Sequence, residues 1–260
     1  MIAPSSPFDL AVAITAHNSI RTLQRTLESV QSLARTIIIV DSGSTDGTIE
    51  LCERFNTTIT HRPFTNIVDQ KTFAVEQCKT HRWVLLLDSD ESLEPPLQQS
   101  IRTVLSQDDP AYNGWSFNRK TWFLGAWLHH AYQPEWRTRL FRPAHATIVG
   151  KGADGLGGHD RVEVRGTVGR LTGDCRHDSW ADFHDMALRQ LRYAKRAGEH
   201  DPSGGGLFDL FIRPPAAFIK QFLIKRAFLD GWRGMVVSCM AYNQTLLKHL
   251  FIAVRKHHRP

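Results

Sequence analysis

Five apolar residues, Trp83–Leu87 (WVLLL), run straight into four polar ones, Asp88-Ser89-Asp90-Glu91. A short apolar run of this kind predicts a buried strand of a parallel sheet. In open parallel sheets ligands bind beyond the carboxyl ends of the strands, which is where the two aspartates fall. Carboxylates at i and i+2 can share a divalent cation and a ribose, since hard cations take one or two carboxylates plus substrate phosphates. An Asp-x-Asp by itself is commonly a solvated turn. A second acidic loop after an earlier strand makes this one a site.

That earlier strand is Thr36–Val40 (TIIIV), β-branched almost throughout, and its carboxyl end opens the loop Asp41-Ser42-Gly43-Ser44-Thr45-Asp46-Gly47-Thr48. Asp46 is placed to cap the helix that follows, so Asp41 is the candidate for ligand contact. Leu10–Thr15 (LAVAIT) reads as the first strand. Asn18 or Ser19 then caps a helix carrying Ile20, Leu23, Leu27 and Val30 at helical spacing. Thr57–Thr60 predicts a further strand and Asp69–Gln77 a short helix. Strands separated by helices of this length imply an α/β fold with a doubly wound, mostly parallel sheet. Other phosphate and metal motifs fail. An EF-hand would need Glu at Cys52, and no GxxxxGK[ST] is present. The formal GxGxxG at Gly150, Gly152 and Gly155 opens no helix and reads as a glycine-rich loop.

The chain has 260 residues, enough for one large α/β domain with an appendage. Its 42% hydrophobic and 22% charged residues exclude a disordered or fibrous protein. Cys52, Cys78, Cys175 and Cys239 form no CxxC, which excludes a disulfide scaffold or zinc finger and suits a reducing cytoplasm. The N-terminus shows no basic and apolar secretory signal. A net charge of +6 favours an anionic partner.

Between Tyr112 and Asp178 the texture changes to a mixed region. Short strand-like runs such as Gly114–Lys120 and Arg161–Arg170 occur there, with dense aromatics and the glycines Gly150–Gly158. A helix from Ala181 to about Gly198 follows, then a break at Asp201–Gly206. From Phe208 the tail carries nine Lys or Arg against Asp209 and Asp230, interleaved with Phe211, Phe218, Phe222, Phe228, Trp232 and Phe251. No stretch is long and apolar enough to span a bilayer. Basic amphipathic helices of this kind lie in a membrane interface, so an anionic membrane surface is the expected partner and nucleic acid is not. The competing reading is a helix pair packed on the main domain. The expected organisation is 1–206 as the main domain, with 1–110 carrying the ligand-side strand ends and 111–206 the mixed region, and 207–260 as a membrane-associating helical tail.

Ile14-Thr15-Ala16-His17-Asn18, Val40–Thr48 and Asp88-Ser89-Asp90 together resemble the inverting family 2 glycosyltransferases of GT-A fold. His61-Arg62-Pro63-Phe64, Asp69-Gln70-Lys71, Trp122–Gly125, Arg139-Leu140-Phe141-Arg142 and the basic C-terminal helices are similar to the bacterial lipopolysaccharide core glucosyltransferase branch. The resemblance covers nearly the whole chain. It implies that Thr15 and Asp41 hold the nucleotide base and that Lys71 lies near the uridine and diphosphate. Asp88 would contact ribose or metal, and Asp90 would coordinate Mg²⁺ or Mn²⁺. The family loop often carries a second aspartate where Ser42 stands here. Its acceptor-side base, commonly His-Glu after a glycine, corresponds to Gly158-His159-Asp160, which makes Asp160 the candidate base.

A departing diphosphate also needs cations, for which Lys71, Arg137, Arg139 and Arg142 are candidates. His177 is a candidate further metal ligand or phosphate contact. The resemblance thus implies a metal-dependent inverting transferase. Its donor would be a UDP-sugar, UDP-glucose first, and its acceptor a glycolipid such as the lipopolysaccharide inner core. Its expected place is the cytoplasmic face of the cytoplasmic membrane, as a peripheral protein. The rivals are a transferase acting on a polyprenyl-linked or capsular intermediate, and a non-enzymatic membrane-surface or nucleic-acid binding protein.

Overall fold

Alternation along each central strand decides which helix it meets. The computed structural model describes residues 6–151, 157–201 and 203–257. It opens with β1 (Leu10–Ala16), α1 (Ile20–Val30), β2 (Thr36–Asp41), α2 (Thr48–Arg54), β3 (Thr58–His61), α3 (Ile67–Glu76) and β4 (Trp83–Asp88). β1 pairs in parallel with β2 and β4, and β2 with β3. Leu10, Val12 and Ile14 of β1 join a core with Leu23, Leu27 and Val30 of α1. Ala11 and Ala13 face the other way, in a core with Ala74 and Val75 of α3. β2 and β4 divide in the same manner, Leu85 and Leu87 to the first core, Val84 and Leu86 to the second. Cutting fully buried Leu85 to Ala would cost about 2–5 kcal/mol.

The chain continues through β5 (Glu91–Leu93), α4 (Pro95–Gln107), β6 (Tyr112–Phe123), β7 (Ala126–Trp127), β8 (Trp136–Phe141), β9 (Ala146–Lys151), β10 (Gly157–Val164) and β11 (Thr167–His177). The large sheet runs β3-β2-β1-β4-β8-β6-β11-β5, with β7 against the end of β6 and β9–β10 as a separate pair. β4–β8, β8–β6 and β11–β5 are antiparallel, so the second half is mixed, as the sequence implied. Helix α4, which the sequence reading did not name, starts on a proline and buries Leu97, Ile101, Val104 and Leu105. The run Arg161–Arg170 is not one strand. β10 ends at Val164, and Gly166, at φ +103°, turns the chain into β11. Of the glycine-rich stretch, Gly150 lies on β9 and Gly157 on β10, while 152–156 fall outside the described residues.

Two compact units emerge. The first is Met1–Arg119 with Glu135–His177, and the second is Lys120–Pro134 with Asp178–Pro260. The sequence reading placed the tail boundary at 206. The division instead follows His177 and takes in an inserted segment, Lys120–Pro134, made of the end of β6 and the chain that leads to β8. In the second unit, α5 (Phe183–His200), α6 (Leu207–Phe211), α7 (Arg213–Ile219), a wide turn (Lys220–Ile224) and a tight one (Ala227–Asp230) precede α8 (Gly231–His257). Phe123, Leu128, Ala131, Met186, Ala227, Val237 and Met240 form its core. Gly234 is required there, because a Cβ would collide with the carbonyl oxygen of Ala227. No helix among the described residues is long and apolar enough to cross a membrane.

Charge is divided unevenly. The second unit holds 14 of the Lys and Arg against 7 acids, and the first 18 against 19, so the net +6 arises wholly in the second.

Candidate active site

The strand ends bring three of the expected residues into one row. Thr15 lies opposite Asp88 across β1–β4, and the next residue, Ala16, lies opposite Asp41 across β1–β2. This follows from parallel register alone, since strands that start level also end level.

Asp41 is 2% exposed and organises its own loop. Its Oδ2 accepts from the N–H of Gly43 at 2.8 Å and of Ser44 at 3.1 Å, and its Oδ1 accepts from the Ser44 hydroxyl. Burial raises the pKa of this carboxyl, but these donors and nearby His61 outweigh it and hold the group below its ordinary value. The turn needs φ +92° at Gly43, which explains the glycine. Asp46 takes the structural role assigned to it, accepting from Thr48 N–H at 3.1 Å and Ile20 N–H at 3.1 Å. Ser19 occupies the N-cap of α1 without a side-chain capping bond, and its hydroxyl instead meets that of Ser89 at 2.8 Å.

Lys71 is the centre of the site. It is 1% exposed, and its Nζ lies 2.6 Å from Asp88 Oδ1 and 2.8 Å from Asp160 Oδ2. Arg139, 3% exposed on β8, reaches Asp88 Oδ2 at 2.8 Å and Asp160 Oδ2 at 3.6 Å. Burial opposes ionisation of Asp88, yet Lys71, Arg139 and Arg119 overcome it and hold the carboxyl far below the usual range. Asp160, the candidate base, sits on β10. Its side chain is only 13% exposed, and Arg161 pairs with Glu163. The side chain of neighbouring His159 lies outside the described residues.

Three groups complete this cluster that sequence reasoning left unassigned: Glu91, Glu135 and Arg119. Glu91, fully buried, accepts from Arg139 at 2.8 Å and Arg119 at 3.0 Å, and its other oxygen accepts from the backbone N–H of Asp88. Glu135 receives a two-pronged bond from Arg119 and a further one from Arg137. Arg137 also reaches the carbonyl of Asp160 at 3.4 Å. Only Glu91 carried a signal, as the fourth residue of the Asp88–Glu91 run. Arg142, a candidate cation, is committed elsewhere: it bonds Asp108 at 2.8 Å and stacks over Trp83. Gln70, next to Lys71, donates to Ser42 at 2.7 Å, and its buried Oε1 lacks a partner among the described residues. The buried Nε of Arg139 does too.

Asp90 feels the charge of Arg119 but faces a different partner. Its Oδ2 lies 3.7 Å from Nε2 of His177, at the end of β11. Burial raises its carboxyl above the ordinary value; His177 pulls against that, and Asp88 and Glu91 add to it. Among the described residues no group of three or more His, Cys, Asp or Glu is gathered as a metal cage.

Acidic strand ends on a doubly wound sheet, with buried cations set against them, define an α/β protein whose polar cluster lies where such sheets bind their ligands. The chain belongs to glycosyl transferase family 2, whose model matches residues 11–158, more than half its length. It is 27% identical over 238 residues to the lipopolysaccharide core biosynthesis glycosyltransferase LpsC of Rhizobium meliloti, covering 87% of this chain and 85% of that protein. It is also 27% identical over 234 residues to the uncharacterized glycosyltransferase RP128 of Rickettsia prowazekii, covering 86% and 80%. The crystal structure of S. aureus TarS 1-349 superposes with a TM-score of 0.50 at 11% identity, covering 96% of this chain and 92% of that one. That likeness concerns the fold, which is GT-A as expected.

Proposed function

We propose that this glycosyltransferase moves a hexose, glucose from UDP-glucose, onto a membrane glycolipid of the lipopolysaccharide inner-core kind, with inversion at the anomeric carbon. The observation that carries the reading is the placement of Asp160 against the strand-end Asp88, through Lys71 and Arg139. The resemblance to LpsC supports the acceptor class.

In this reading the uracil lies by Thr15 and the Asp41 loop, whose shape the Ser44 and Gly43 bonds fix. The ribose and diphosphate lie by Asp88. Asp160 accepts the proton of the acceptor hydroxyl as its oxygen bonds to the anomeric carbon. The bond from that carbon to the diphosphate breaks, and UDP leaves with the electron pair. Lys71 and Arg139 hold both carboxylates in place, and the unsatisfied Nε of Arg139 is a spare donor for an anionic oxygen.

A divalent cation fits Asp90 and His177. Asp90 is a desolvated carboxylate facing an imidazole, while both oxygens of Asp88 are already taken by Lys71 and Arg139. One carboxylate and one imidazole would hold Mn²⁺ more readily than Mg²⁺, which keeps to oxygen ligands, and Asp88 would join them only by giving up one of those ion pairs. Such a cation, when bound, offsets the charge gathering on the departing diphosphate. The acceptor would be met at the cytoplasmic face of an anionic membrane, with the protein peripheral to it.

The test is turnover of a nucleotide-sugar panel with Mn²⁺, offered inner-core glycolipid and, separately, a polyprenyl-linked sugar. UDP-glucose consumption with the inner-core acceptor, and an inverted anomer in the product, is expected. Transfer confined to the polyprenyl acceptor, or none with any donor, overturns the reading.

A further inference from the structure

Ten of the twenty-one large apolar side chains exposed among the described residues fall between Leu207 and Trp232. Leu207 is 75% exposed, Phe211 69% and Ile224 72%, which are values for residues that cover nothing within the chain. Soluble proteins scatter such residues singly; gathered, they mark a contact surface. Lys220, Lys225 and Arg226 are exposed in the same stretch. Its two acids are withdrawn: the side chain of Asp209, 14% exposed, pairs with Arg213, and that of Asp230 is 2% exposed. The stretch therefore offers water apolar surface and positive charge, with its carboxylates turned away.

The long helix α8 shares this character only in part. It buries Gly234, Val237, Ser238, Met240, His249 and Ile252 within its unit, while Trp232 at its start and Met235, Leu250 and Val254 farther along are exposed. The exposed stretch consists of short pieces, α6 of five residues and α7 of seven, too short to cross a bilayer but suited to lying in its interface.

We propose that residues 207–232 form an interfacial docking face for an anionic lipid bilayer, with the apolar side chains entering the headgroup boundary and the cations meeting lipid phosphates. This locates the membrane contact of the proposed function and rests on that reading for the partner. Charge selects lipid over a second copy, since a symmetric self-contact would press the same cations together. The face is tied to the inserted segment of its own unit. Asp230 accepts from the backbone N–H of His129, His130 and Ala131, and Arg233 donates twice to the carbonyl of Leu124.

The test is co-sedimentation of the full chain with vesicles of phosphatidylglycerol and phosphatidylcholine in about equal parts, against phosphatidylcholine alone. The wild type is expected to bind the anionic vesicles. F211S/I224S, which removes only exposed side chains, should weaken binding by about tenfold or more, and K220E/K225E should abolish the preference for anionic lipid. Wild-type protein that stays in solution, or binding unchanged in both variants, overturns the proposal. A wild-type dimer that F211S/I224S makes monomeric overturns it in favour of self-association. Should F211S/I224S fail to fold, K220E/K225E decides. UDP-glucose turnover with a soluble acceptor reports on the donor site separately, so failure of docking and failure of the proposed activity are distinguishable.

Discussion

The ammonium of Lys71 stands 2.8 Å from Oδ2 of Asp160, joining α3 to β10 where both side chains are withdrawn from water. The same nitrogen holds Asp88 at 2.6 Å, so one buried cation serves two carboxylates from separate elements. Removing it leaves buried negative charge behind, which costs more than the pair contributed. Lys71→Met should therefore lower unfolding free energy by about 3–5 kcal/mol in urea denaturation. Adding Asp160→Asn to it should restore part of that loss, the sign of direct coupling. A cost below about 1 kcal/mol would mean that Arg139 alone neutralises the cluster.

Asp90 should behave in the opposite way. Its carboxyl has a raised pKa, so ionising it at neutral pH works against the folded state. The sign is that of a group binding its proton more tightly when folded: stability falls as pH rises from the unfolded value near 3.8. Asp90→Asn should thus leave stability unchanged or slightly higher at pH 7, while lowering turnover by about 10²-fold or more through loss of the cation. Near-normal turnover at saturating donor would remove Asp90 from the proposed cation site.

How much of this could be read in advance depends on the kind of contact. Leu10–Thr15, Thr36–Val40 and Trp83–Leu87 declared themselves because parallel strands buried on both faces are apolar throughout. The row of Thr15, Asp41 and Asp88 then followed from parallel register. The partners of Asp88 were hidden for a topological reason. Arg119 and Arg139 reach it only because β8 pairs antiparallel with β4 and β6 with β8, and no local pattern encodes that order. The inserted segment was illegible for the same reason: Lys120–Pro134 interrupts one unit in sequence while packing in another.

Glu135 supplies a pH test. Burial favours its neutral form, but the bonds from Arg119 and Arg137 pull the carboxyl down to about 2 from an ordinary value of 4.5. A depressed carboxylate contributes stability that is present above its unfolded pKa and is lost as pH falls through the folded one. The stability gap between wild type and Glu135→Gln should be open at pH 6 and close between about 4.5 and 2. A gap that stays constant over that range would show that the ionised form adds nothing.

Asp160 can be tested as a base apart from its place in the ion cluster. Asp160→Asn keeps the shape of the side chain but cannot take the acceptor proton, so kcat should fall by about 10²–10⁴-fold with UDP-sugar affinity nearly unchanged. Glu163→Gln is the control, because Glu163 is exposed and pairs with Arg161. Should Glu163→Gln or Asp178→Asn abolish turnover while Asp160→Asn stays within a few-fold of wild type, the base is another carboxylate.

Asp230 makes the strongest demand on the second unit. Three backbone N–H groups, those of His129, His130 and Ala131, point at one carboxylate, and His130 Nδ1 lies 3.2 Å from it. Burial raises the pKa of this group, yet the donors outweigh it and keep the carboxyl below its ordinary value, so it is charged at neutral pH. Asp230→Ala strips all of those acceptor sites at once and leaves partly buried N–H groups unpaired, at a cost of about 2–4 kcal/mol. Asp230→Asn keeps one oxygen but turns a donor toward the same N–H groups, so it should recover little of that loss. Asp230→Glu keeps the charge and should recover more. Hydrogen exchange supplies the local readout: the amides of His129, His130 and Ala131 should lose protection in Asp230→Ala, while those of β1 and β4 keep theirs. If β1 and β4 lose protection to the same extent, the variant has unfolded globally, and the clamp is not a local device.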